Sequence, residues 1–98
     1  MITLESLKNY LNITYEDEDI DRKLTAILVR ADKYVRSRTA EEPTEELTEV
    51  EEQLVYDTCR YIFNDAFEDF ESNFMSLLTA ERALRQVKAA EREAADEE

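Results

Sequence analysis

The chain contains no glycine and a single proline, Pro43. Two-residue hairpin turns need residues that take positive φ at little steric cost, and glycine is the usual one, so a hairpin-rich β fold is disfavoured. The same absence removes the residue that most often closes a helix C-terminus. The fold expected is all-α: a small bundle of about four helices, the last of them long.

At 98 residues the chain is one domain, and a domain of this size hides only about 60–65% of its unfolded surface. Apolar residues make up 43% and charged residues 38%, which suits helices that each bury one stripe beneath a charged exterior. Twenty-five acids against 12 bases leave a net charge of −13, a surface that repels phosphate and anionic lipid. Cys59 has no second cysteine to pair with and lies among Tyr56, Tyr61, Ile62 and Phe63, so a buried free thiol in a reducing compartment is expected. No basic, apolar leader opens the chain, and no apolar run approaches the ~18–20 residues of a membrane span. A chain that is neither secreted nor membrane-bound is the expectation.

Thr3 is a candidate N-cap for a first helix carrying Leu4, Leu7 and Leu11, with Ile2 placed to staple onto Leu7. Asp17 or Asp19 can cap the second, in which Ile20, Leu24, Ile27, Leu28, Ala31, Tyr34 and Val35 fall on one helical face. Acids at its start and Lys33, Arg36 and Arg38 at its end match the helix dipole. Residues 39–44 form a loop, and residues 41–52 hold seven acids and no base. A third helix begins near Thr44, or at Thr48 where Thr48-x-x-Glu51 makes a capping box, and carries Leu54, Val55, Cys59, Ile62 and Phe63. Residues 65–73 read as its end and a turn. A last helix starts near Asn73, and the pattern divides the chain into a helical domain, 1–87, and an Ala- and Glu-rich acidic tail, 88–98, ordered on assembly.

The residue inventory argues against catalysis. With no histidine, Ser-His and Cys-His nucleophile pairs and most zinc or di-iron sites cannot be built. Phosphate-binding loops lack their glycines. Asp17-Glu18-Asp19-Ile20-Asp21 opens like a calcium loop, but Arg22 stands where glycine is required and Leu28 where a bidentate glutamate closes the site. No catalytic residue, metal site or cofactor is expected.

The chemistry left is that of surfaces. Tyr34 and Tyr61 fit the core by spacing, whereas Tyr15 and Tyr56 lie outside the best apolar stripes and are candidate protein-interface residues. Arg82, Arg85, Lys88 and Arg92 recur along one side of the last helix. They either pair with Glu81, Glu91 and Glu93 or form a basic strip that docks on an acidic surface. Glu41, Glu42, Glu45, Glu46 and Glu49 are candidates for that surface or for the lining of a channel.

The order Leu4-x-x-Leu7-Lys8-x-Tyr10-Leu11-x-Ile13, Tyr15-Glu16-Asp17-Glu18-Asp19, Ala31-Asp32-Lys33-Tyr34-Val35, Phe74-Met75-Ser76-Leu77-Leu78 and Leu84-Arg85 resembles the head-tail connector family of tailed phages and prophages. The resemblance runs over roughly residues 2–86. It implies a helical adaptor, typically of twelve copies, that sits as a ring beneath the portal in the virion and joins it to the stopper or tail-completion protein. Assembly would take place in the host cytoplasm, and DNA would pass through the ring without sequence-specific binding. A different class also fits the acids at 16–21 and 41–52: a small acidic inhibitor or DNA mimic that occupies a nucleic-acid-binding enzyme.

Overall fold

The computed structural model describes residues 2–39 and 46–96. They form four helices, α1 (Leu4–Tyr10), α2 (Glu18–Thr39), α3 (Glu49–Phe63) and α4 (Phe67–Asp96), with no strand among the described residues. The architecture is a small all-α bundle with a long C-terminal helix. The 39–44 loop expected around Pro43 lies, beyond Thr39, outside the described residues.

Short polar side chains start the first three helices. Thr3 caps α1 and makes a reciprocal capping box with Ser6. Asp17 Oδ1 accepts the backbone N–H groups of Asp19 (2.9 Å) and Ile20 (3.2 Å) at the head of α2. Thr48 caps α3: its hydroxyl accepts the Glu51 amide while the Glu51 carboxylate accepts the Thr48 amide. Each pairing satisfies donors that the first helical turn leaves open.

The missing glycine is replaced at two helix ends. Asn12 and Asp65 take φ of 61° and 56°, the left-handed region. In each case two backbone bonds close the end: Ile13 N–H to Lys8 O (2.9 Å) with Asn12 N–H to Asn9 O, and Ala66 N–H to Tyr61 O (2.8 Å) with Asp65 N–H to Ile62 O. This is the Schellman pattern. Asparagine and aspartate tolerate the left-handed region best after glycine.

The core is continuous. Leu7 and Ile13 from α1 and its exit, Leu24, Ile27, Ala31 and Val35 of α2, Leu54, Val55 and Cys59 of α3, and Phe70 and Leu78 of α4 form one cluster, with Ile2 packed at its edge. Val50, one turn before Leu54 in α3, is exposed.

One expectation fails. Residues 65–73 are not a turn, because only residues 64–66 separate the helices and α4 begins at Phe67. Glu68, Asp69 and Glu71 made the stretch look like a loop, but acids suit the positive end of a helix dipole. Phe67, Phe70, Phe74, Leu78, Glu81 and Arg85 then fall on one inward stripe. Phe70 is fully buried, its ring edge-on to Tyr34 and Tyr61 and stacked on Phe74 at 4.7 Å. α4 continues through Lys88 to Asp96 with no break where the acidic tail was expected to begin.

Cys59 is a buried free thiol. Burial, helped by the charge of Asp32, pushes its pKa up to about 12, so the nucleophilic thiolate is scarce. A thiol reagent at pH 8 should leave Cys59 unmodified in the native chain and label it within minutes in denaturant. Fast labelling of the native chain would place Cys59 at the surface.

Candidate assembly interface

The polar centre of the molecule is an ion pair between helices. The Glu51 carboxylate is fully buried and the Arg85 side chain nearly so, with Arg85 Nε 2.9 and 3.1 Å from the two carboxylate oxygens. Arg85 Nη2 also donates to the Glu46 carbonyl oxygen at 2.6 Å. Thr39, the last residue of α2, donates its hydroxyl to Glu51. Thr48 donates to the buried Glu81 carboxylate at 2.8 Å. A forked guanidinium on a carboxylate is strong and directional, so this group sets where α4 lies against α2 and α3.

Burial alone would raise the Glu51 pKa. The hydrogen bonds from Arg85, Thr39 and the Thr48 amide, with the guanidinium charge, outweigh it and bring the carboxyl down to about 2 from 4.5. Because the folded value lies below the unfolded one, this stabilisation is complete above pH 4.5 and is lost as pH falls toward 2. Wild type and Glu51→Gln should therefore differ most in guanidinium unfolding at neutral pH and converge as pH falls toward 2. A pH-independent difference would contradict the lowered pKa.

Two further contacts fix the other helices. Tyr34 donates to Glu71 at 2.6 Å and Arg38 pairs with the same carboxylate, tying α2 to the start of α4. Tyr10 donates to Asp57 at 2.6 Å and holds α1 on α3.

The expected basic strip is divided by this arrangement. Arg85 is an internal clamp, not a surface residue, because the inward stripe of α4 ends on it. Arg82, Lys88 and Arg92 are exposed and form no ion pair with another described residue, so the expected pairing with Glu81, Glu91 and Glu93 is not made. On the same helix Leu77, Leu84 and Val87 stand 41, 46 and 54% exposed. Tyr15 is exposed, whereas Tyr56 is half-buried, 5.1 Å from the Tyr10 ring and donating to Ser6 at 2.9 Å. Glu46 and Glu49 are exposed near the start of α3; Glu41, Glu42 and Glu45 lie outside the described residues.

The Glu51–Arg85 clamp is what sequence reading missed. The Thr48-x-x-Glu51 box was visible as a cap only. Starting α4 at Phe67 would have put Arg85 on the buried stripe, and a buried arginine requires a partner carboxylate. No helix among the described residues is long and apolar enough to cross a membrane.

A family model described as "Protein of unknown function (DUF3654)" matches residues 9–98. No curated protein and no solved structure matches the chain. The chain belongs to the DUF3654 family.

Proposed function

We propose that this DUF3654 member is a non-enzymatic adaptor subunit of a tailed-phage or prophage head-tail junction, assembling as a ring between the portal and the stopper or tail-completion protein. The observation that carries the reading is α4. Its inward stripe is locked by Arg85, while Leu77, Leu84 and Val87 stand exposed on the same helix, with Lys88 one turn beyond Leu84 and in no ion pair with another described residue. Exposed apolar side chains with a cation one helical turn away suit contact with another protein.

The motif order described above supports the same reading. A net charge of −13 would keep the inner wall of a ring from holding DNA as it passes. Exposed Asp17, Glu18 and Asp19 at the head of α2 are the feature that favours an acidic inhibitor instead.

Self-association separates the two. Sedimentation of the purified chain up to millimolar concentration should show species heavier than a monomer, with Arg82→Glu/Lys88→Glu shifting them back toward monomer. Arg85 is left intact in this variant because it belongs to the fold. A chain that stays monomeric and binds a basic nucleic-acid enzyme tightly would favour the inhibitor.

A further inference from the structure

We infer that the outward ridge of α2 is a docking surface for an acidic amphipathic helix of another protein, one of whose apolar side chains enters the hole framed by Ala26, Val29, Arg30 and Lys33. This surface is separate from the α4 residues that carry the adaptor reading.

The ridge runs against the charge of the whole chain. Residues 22–38 hold six of its 12 bases, Arg22, Lys23, Arg30, Lys33, Arg36 and Arg38, and one acid, Asp32. Three of the six are answered within the chain: Arg22 lies 2.9 Å from Asp19, Arg36 lies 2.9 Å from Asp32, and Arg38 pairs with Glu71. Lys23, Arg30 and Lys33 are exposed and form no ion pair with another described residue. Lys23 sits over the Phe63 ring at 5.4 Å and Arg30 over the Phe67 ring at 5.0 Å, which holds both heads at the surface. Asp65 and Glu68, exposed and close in sequence to those rings, do not cancel the excess: six cations still outnumber the five acids Asp19, Asp32, Asp65, Glu68 and Glu71. Charges more than about 8 Å away are screened at physiological salt. An approaching segment therefore meets this face and not the net −13.

Shape narrows the partner. Helix positions i, i+3, i+4 and i+7 frame the hole that receives one side chain of a facing helix. On α2 one such set is Ala26, Val29, Arg30 and Lys33, all four exposed, with Val29 at 50%. Two sides of the hole are apolar and two are cationic. A leucine between glutamates one turn away on each side satisfies all four: the apolar group packs on Ala26 and Val29, and the carboxylates meet Arg30, Lys33 and Lys23, one turn before Ala26. Nucleic acid phosphate would answer the cations and leave Val29 without an apolar contact.

The test uses the full-length chain and a labelled peptide of three heptads, with leucine at positions a and d and glutamate elsewhere, followed by fluorescence anisotropy. The peptide should bind, and Arg30→Glu/Lys33→Glu should weaken it at least about tenfold, as expected for two lost charge pairs. Arg30→Gln/Lys33→Gln should weaken it in the same direction without added repulsion, and Lys88→Glu on α4 should leave it unchanged. A peptide of the same composition with its leucines out of heptad register should bind more weakly. The inference is overturned if the heptad peptide does not bind, or binds the Arg30→Glu/Lys33→Glu chain equally well. Single-stranded DNA of equal charge binding this face as tightly would make it a phosphate surface. Self-association in sedimentation that Arg30→Glu/Lys33→Glu removes would make the occupant a second copy; either result overturns the inference.

Discussion

Replacing Arg85 by alanine is expected to destabilise the fold by roughly 3–5 kcal/mol, because it leaves the Glu51 charge buried without its partner. In a domain of this length each kcal/mol is worth about 4–8 °C, so the melting temperature should fall by at least about 12 °C. Arg85→Lys should recover only part of the loss, since an ammonium cannot present the fork that meets both Glu51 oxygens and the Glu46 carbonyl. Glu51→Gln/Arg85→Leu should be milder than Arg85→Ala, because no charge is stranded and the amide can still accept from Thr39 and the Thr48 amide. Thermal denaturation followed by circular dichroism measures all three. A loss below about 1 kcal/mol for Arg85→Ala would put the pair in the class of exposed ion pairs and contradict the clamp.

Phe70→Ala is the second large expected effect, again about 3–5 kcal/mol, from lost transfer energy and the cavity left behind. Phe70 is fully buried and its ring meets Tyr34, Tyr61, Phe67 and Phe74, so several aromatic contacts go with it. Met75→Ala, two residues past Asn73, where the sequence suggested a helix start, and half exposed, should cost far less. Near-equal losses in denaturant unfolding would mean that Phe70 sits on a loop, as the acid-rich sequence around it suggested, and not in α4.

The contrast between those two positions shows where sequence reading holds. The α2 stripe and the caps at Thr3, Asp17 and Thr48 were legible because each depends on residues within one or two turns. The left-handed ends at Asn12 and Asp65 were not, since any of several asparagines and aspartates could have taken that role. The start of α4 was obscured by its acids, whose favourable place at a helix N-terminus shows only once the helix is drawn. Arg85 was misassigned to the surface strip for a related reason: its partner Glu51 is 34 residues away, and periodicity does not report such pairings. Of the candidate interface, Tyr15, Arg82, Lys88 and Arg92 remain exposed, while Tyr56 packs against α1 and Arg85 turns inward.

The adaptor reading places a rigid α4 on the outside of a subunit made to meet neighbours. Negative-stain imaging of the purified chain mixed with a tailed-phage portal protein tests this most directly. Rings of the chain stacked coaxially on the portal are predicted, and they should be lost in Arg82→Glu/Lys88→Glu. Bare portals beside a chain that stays monomeric would contradict the account.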